Sequence, residues 1–412
     1  MTQLHITLEK EILKDLLMGN REKAMAKLLE QIFDAVLNAQ ATEQINALPY
    51  ERNKDRITYR NGYRDRGLTT RVGTLRLHIP KFRNGTFSTE LFSAYQRSEQ
   101  ALMLSMMEMV VQGVSTRKVS EITEILCGTI FSKSTVSSLC KELDPVVDHF
   151  RNRPLNRHYP FIIVDAIYMR AREYHTVNSK GLLIAIGVNR EGYREVLGFT
   201  IADGESEISW SEFFKHLKDR GLKDVDQVTS DNHGGLRNAI KKHFTNALWQ
   251  RCQTHFSRNV LDKTPKKLQA EMKQALKDMY DAPDLEKAGI RKDQILDKFE
   301  ASAPKAMSLL DEGFADVTAV YNLPYGYRKR LRTSNSIERL NEELRRRERV
   351  IRIFPNEESL LRLMGAVLIE QHEKWSAGKK YFNMDAYYEK IAENTKTKAT
   401  TKEKRKSVNQ VA

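Results

Sequence analysis

The stretch from Phe161 to Arg251 constrains the fold more than any other part of the chain. Three apolar runs, Phe161–Met169, Gly181–Val188 and Glu195–Ile201, are separated by the turn-like sequences Asn178-Ser179-Lys180-Gly181 and Asn189-Arg190-Glu191-Gly192. The pattern then changes. Ser209–Leu217 predicts a helix, Val225–Ser230 a fourth strand, Gly234–Phe244 a second helix and Ala247–Arg251 a fifth strand. Hairpin-linked strands followed by alternating helices and strands specify an α/β domain with a mixed sheet.

The flanking sequence is helical. Apolar residues recur every three or four positions from about 8 to 47, and again from Thr254 to about Leu323, where Leu268, Met272, Leu276, Met279, Ile290, Ile295 and Phe299 carry the pattern. Residues 102–143 read as three short helices. Gly113 stops the first, Ser115 opens a second that Gly128 ends, and Ser132 or Ser134 caps a third that Asp144-Pro145 closes. Two such helices about a Gly-containing turn match a helix-turn-helix, a pattern also common in proteins that never touch DNA. Arg117 and Lys118, with Lys133, Ser134, Thr135 and Ser137 at the leading end of the last helix, are its candidate contact residues. Between the first helix and this unit, Glu51–Arg83 holds ten Lys/Arg against three acids, with Tyr59, Tyr63 and Phe82 interleaved. Basic residues mixed with aromatics favour phosphate contact over a merely solvated hairpin.

Composition narrows the classes. With 412 residues the chain has material for two to three domains, and 40% apolar with 30% charged residues lies within the globular range. The balance of 68 Lys+Arg against 54 Asp+Glu leaves +14, which suits a polyanionic partner without requiring one. Cys127, Cys140 and Cys252 cannot build a disulfide framework and fit a reducing compartment. No apolar run approaches the length of a membrane span, and no basic-then-apolar leader opens the sequence, so a cytoplasmic protein is expected.

Chemistry concentrates on three acids. Asp165 sits in Phe-Ile-Ile-Val-Asp-Ala, late in an apolar strand, and Asp231 in Val-Thr-Ser-Asp-Asn-His-Gly-Gly, at the end of another and before a glycine-rich turn into a helix. A lone strand-end Asp is ordinarily a turn or cap former. A pair at neighbouring strand ends is where α/β sheets build sites, and two carboxylates so close call for a divalent cation. Hard carboxylate oxygens suit Mg²⁺. A third acid comes from Thr333–Arg349. At about 100° per residue, Ile337, Leu340, Leu344 and Ile351 share one face, while Ser334, Asn335, Asn341, Glu342 and Arg345 fall within roughly 60° of Glu338. An ordinary solvated face would look similar, but two asparagines, poor helix formers, flank Glu338. Cys252 and His255 form Cys-x-x-His; two more ligands at suitable spacing are missing, which argues against zinc and leaves a buried thiol and a helix-start histidine, or a supporting role at the site.

Asp165, Asp231 and Glu338, with Cys252-x-x-His255 and Asn335-x-x-Glu338-x-x-Asn341-x-x-x-Arg345, resemble the bacterial IS256 transposases, relatives of the Mutator elements. The resemblance runs from about Arg52 to His372 and includes Gly113-Val-Ser-Thr-Arg-Lys-Val and Arg153-Pro154-Leu155. It implies a ribonuclease H-like core, whose strand order agrees with the one read above, carrying a DDE triad of Asp165, Asp231 and Glu338. These would hold two Mg²⁺ ions, with Mn²⁺ able to substitute, and Cys252, His255, Asn335, Asn341 and Arg345 would support them. The implied partners are terminal inverted repeats and target DNA, bound by a homodimer or larger assembly, and the implied pathway passes through a circular intermediate.

The expected organisation is a helical DNA-binding region at 1–145, a linker at 146–158, the first part of the core at 159–253, an all-helical insertion at 254–325, the glutamate-bearing remainder at 326–375, and a basic, disordered tail at 376–412. The rivals are a ribonuclease H-like nuclease or resolvase that cuts without joining, and a non-catalytic DNA-binding relative.

Overall fold

The computed structural model describes residues 11, 12, 14, 21–52, 54–70, 72–89, 91, 98–127 and 129–393. Leu16, Leu17, Arg71, Gly128 and the Lys-rich segment beyond 393 lie outside them. The chain divides into two compact units, Met1–Glu142 and Leu143–Ala412.

In the first unit, helix α1 (Arg21–Ile45) packs along an antiparallel hairpin of β1 (Arg60–Thr70) and β2 (Gly73–Phe82). Alternation in β2 buries Leu75, Leu77 and Ile79 against Leu37 of α1 and Leu68 of β1. The outer edge of β2 is closed by carboxylates: Glu30 accepts from the Arg76 N–H at 2.6 Å and Asp34 from the His78 N–H at 2.9 Å. This meets the need to occupy the free amides of an edge strand. Three short helices follow, α2 (Gln100–Val111), α3 (Thr116–Cys127) and α4 (Lys133–Cys140), around Leu102, Met106, Val119, Phe131 and Val136. Ser132, rather than Ser134, caps α4, accepting from the Thr135 N–H at 3.1 Å. Arg117, Lys118, Lys133, Ser134, Thr135 and Ser137 are all exposed, and Lys118 pairs with Glu121 at 3.0 Å.

The expected linker is not one. Residues Asp144–Asn152 form a helix, α5, with Pro145 in its first turn. Proline there has no amide to lose and a φ already suited to helix, so Asp144-Pro145 starts an element instead of closing the previous one. Val147 and Phe150 of α5 are buried, and Asp144 receives both a 2.6 Å and a 2.8 Å hydrogen bond from Arg362 of α14 (Glu357–Ser376).

The second unit is built on a five-stranded sheet of β3 (Phe161–Glu173), β4 (Thr176–Val188), β5 (Arg194–Ala202), β6 (Gln227–Ser230) and β7 (Leu248–Arg251). Its order is β5-β4-β3-β6-β7, antiparallel from β3 to β5 and parallel from β3 to β7. The first hairpin turns at Tyr174-His175, where φ is 45° and 68°, and Asn178-Ser179-Lys180-Gly181 lies inside β4. Tertiary pairing overrides turn propensity here: Lys180, 3% exposed, is held by Glu173 at 2.7 Å and Asp203 at 2.6 Å.

Helices α6 (Glu207–Asp219) and α7 (Gly234–His243) cover one face of the sheet, with Trp210, Phe213 and Phe214 packed on Ile162, Val164 and Leu183. After β7 come α8 (Gln253–Asp262), α9 (Gln269–Tyr280), α10 (Leu285–Phe299) and α11 (Pro304–Thr318), which share a core of their own around Phe256, Met272, Leu276, Phe299 and Leu310. The stretch is helical, as its periodicity predicts. Helices α12 (Tyr325–Leu331), α13 (Asn335–Ile351) and α14 return to the sheet. Residues 376–393, expected in the tail, are ordered: Phe382, Met384 and Tyr387 are buried, and the Tyr387 ring lies 4.7 Å from that of Phe161. Aromatic burial outweighs the basic composition of the segment.

Candidate active site

Strand register brings the two aspartates together. Ile163 of β3 is paired with Thr229 of β6, and Asp165 and Asp231 each follow two residues later. Asp165 thus lies on β3 just past the last pair with β6, and Asp231 just past the end of β6, near enough for the Asp231 charge to act on Asp165. The turn after Asp231 is fixed by its own carboxylate, which accepts from the Asn232 N–H at 2.6 Å.

Helix α13 supplies the third acid. Ile337, Leu340 and Leu344 are buried as the helical arithmetic requires. The polar band then meets β3 and α8: Asn341 donates to Asp165 Oδ2 at 2.9 Å, Thr254 donates to Asn335 at 3.4 Å, and Arg345 donates to the Tyr168 carbonyl at 3.4 Å, so Asp165 lies inside β3 and not, as the sequence suggests, at a strand end. Arg345 is also paired with Glu348 at 3.1 Å. Glu342 is exposed, and Glu343 is taken by Arg346 and the buried Arg347.

His255, in the first turn of α8, sits between two of the acids. Its Nδ1 is 3.9 Å from Asp231 and its Nε2 is 4.0 Å from Glu338. Its hydrogen bond to the Cys252 sulfur raises its pKa to about 9 against the opposing effect of burial, with the charges of Cys252, Asp231 and Asp165 adding to the rise. Burial pushes the Cys252 thiol up, but hydrogen bonds with His255 and Ser334 outweigh it and leave the thiol below its ordinary value. Burial also drives the Asp165 carboxyl up to about 7; its hydrogen bond with Ala166 and the charge of His255 oppose the rise, and Glu205 and Asp231 reinforce it.

The donor set fits a hard divalent cation. Asp165, Asp231 and Glu338 do not bring their oxygens within 4.8 Å of one another, but the Asp165 charge is under-compensated and the buried Oδ1 of Asn341 has no hydrogen-bond partner among the described residues. Among the described residues, the trio that does place its ligand atoms within 4.8 Å of one another is Cys252, His255 and Glu338, an approach that the Cys-x-x-His spacing did not disclose. The sulfur of that trio already receives the Ser334 N–H at 3.3 Å and lies 3.2 Å from its hydroxyl, which suits a hydrogen-bonding role.

Two neighbours were not legible in the sequence. Glu205 follows β5 in a turn, donates its N–H to the Tyr168 hydroxyl at 3.2 Å and acts on Asp165 through its charge. Gly235 lets α7 start against this turn, since a Cβ there would stand 2.8 Å from the Glu205 carbonyl oxygen. The other is the contact of the Ser334 hydroxyl with the Cys252 sulfur, which the helical count that set Ser334 on the Glu338 face did not contain.

The sheet carries Asp165 within β3 and Asp231 just past β6, the returning helix α13 carries Glu338, and comparison of sequences gives the family. The chain belongs to the Mutator family of transposases, whose family model matches residues 1–378. It is 45% identical over 390 residues to the transposase for insertion sequence element IS256 in transposon Tn4001 of Staphylococcus aureus, covering 93% of this chain and 100% of the relative. Similarity extends to the transposase for element ISRM5 of Rhizobium meliloti, 43% identical with 90% and 93% of the two chains covered, and to that for element IS1081 of Mycobacterium tuberculosis, 37% identical with 98% of each covered. Among the described residues no helix is long and apolar enough to cross a membrane.

Proposed function

We propose that the chain is a DDE transposase with a ribonuclease H-like core, which cleaves DNA at the terminal inverted repeats of its insertion sequence and joins the freed end to a second DNA site. The observation that carries this reading is the register that sets Asp165 beside Asp231, with α13 tied to Asp165 through Asn341. The sheet order, with three antiparallel strands and two parallel ones, agrees with that core.

Asp165, Asp231 and Glu338 would hold two Mg²⁺ ions, or Mn²⁺ in their place. Such a pair supplies charge stabilisation to both the attacking and the leaving oxygen of an in-line phosphoryl displacement. The protein's own part is positional. Asn341 fixes one oxygen of Asp165, and Arg345, anchored on the strand that bears Asp165, offers positive charge to the DNA backbone. His255, protonated near neutral pH, sets a positive charge between Asp231 and Glu338. Water and then a 3′-hydroxyl would serve as successive nucleophiles, so no covalent protein intermediate is needed.

The exposed basic residues of the first unit, including Arg117, Lys118 and Lys133, are the proposed repeat-binding surface, working as a homodimer or larger assembly on DNA. The test is supercoiled DNA bearing the terminal repeats, with Mg²⁺. Nicking and joined product are expected; nicking without joining would make the chain a nuclease, and a mobility shift without cleavage would make it a binder.

A further inference from the structure

Ser334 stands at the N-cap of α13, where a serine hydroxyl ordinarily accepts from a free amide of the first turn. Here it makes no such cap. Its carbonyl oxygen starts the helix, accepting from the Ile337 N–H at 2.8 Å and the Glu338 N–H at 2.9 Å, while its hydroxyl points one turn along, 3.2 Å from Glu338 Oε1. The residue is 1% exposed, so water does not compete for that hydrogen. The hydroxyl is also 3.2 Å from the Cys252 sulfur. One hydrogen cannot serve both acceptors fully, and a carboxylate is much the stronger of the two.

The sulfur has a separate hold on the same residue through the Ser334 N–H, at 3.3 Å. Cys252, fully buried, is in turn fixed to β6: its N–H donates to the Ser230 carbonyl at 2.8 Å, one residue before Asp231. Gln253 adds a second tie, donating its N–H to the Arg332 carbonyl at 3.0 Å. A continuous series of bonds therefore runs from Ser230, the end of β6 next to Asp231, through Cys252 and Ser334, to the carboxylate of Glu338.

We propose that Ser334 is a positioning residue, which with Cys252 as its anchor sets the Glu338 carboxylate at a fixed place relative to Asp231. This rests on the reading of Glu338 as a metal-holding residue. Ligand-orienting neighbours of this kind change metal affinity by roughly 10- to 100-fold when removed.

The test measures Mn²⁺ binding to the full chain by electron paramagnetic resonance of the free ion, beside nicking of repeat-bearing DNA and affinity for that DNA. Ser334→Ala should weaken Mn²⁺ binding by about tenfold or more and slow nicking, with repeat affinity unchanged, and Ser334→Thr, which keeps the hydroxyl, should restore both. Parental Mn²⁺ affinity in Ser334→Ala, or equal impairment in the Ala and Thr variants, overturns the proposal. Should Ser334→Ala fold poorly, Cys252→Ala gives the same reading, because it unseats the serine without removing it: weakened Mn²⁺ binding supports the anchor and parental binding refutes it. Glu338→Gln separates the two levels. A dead Glu338→Gln beside a parental Ser334→Ala sinks the positioning role alone, whereas an active Glu338→Gln sinks the reading beneath it.

Discussion

Asp165 occupies a position that is costly to the fold when no cation compensates it. Its carboxyl titrates at about 7 in the folded chain against 3.8 for an ordinary Asp, so the folded state binds the proton more tightly than the unfolded one. Linkage then has a definite sign: the cost is absent below the unfolded value, grows as pH rises between the two, and is complete above about 7. Asp165→Asn should remove it. In the absence of divalent ions the variant is expected to melt a few degrees above the parent at about pH 8 and together with it near pH 4. Mg²⁺ should raise the parent's melting temperature and leave the variant's almost unchanged. A variant less stable than the parent at about pH 8 would contradict this. The acids were legible as candidates because strand and helix periodicities are local properties, but that β3 runs on eight residues past Asp165 was not. Glu205, Lys180 and the turned-in hydroxyl of Ser334 were not, since each owes its role to a partner distant in sequence or to burial that only the assembled sheet creates.

At the level of elements, most strands and helices followed from periodicity, and the errors share a cause. Asp144-Pro145 reads as a stop because proline ends helices, yet the same residue opens them. Tyr381, Phe382, Tyr387 and Tyr388 lie among lysines, and only their packing on Phe161 and Tyr327 distinguishes an ordered segment from a solvated one. The packing of α5 on α14 is close. A Cβ at Gly365 would lie 2.6 Å from Val147 Cγ1 and 3.1 Å from the Phe199 ring. Gly365→Ala should therefore force α5 outward and cost about 1–3 kcal/mol in urea unfolding, despite alanine's better helix propensity. An unchanged or higher unfolding midpoint would mean that α5 is the tether the sequence suggested.

Over the whole molecule, the division after Glu142 places the basic hairpin and the three short helices in one unit and the three acids in the other. A fragment ending at residue 142 should retain the preference for terminal repeats over random DNA, with affinity falling steeply as salt rises, because each phosphate neutralised releases a counterion. Gel shifts at several salt concentrations check this; equal affinity for both DNAs would move recognition into the second unit. The catalytic claim is tested most directly by strand transfer on supercoiled repeat-bearing DNA, comparing Asp165→Asn, Asp231→Asn, Glu338→Gln and Glu342→Gln at fixed Mg²⁺. The first three should lose nicking and joining while still binding the repeats, and Glu342→Gln should keep most of both activities. Activity retained in any of the first three, or a dead Glu342→Gln beside an active Glu338→Gln, would contradict the assignment of the triad.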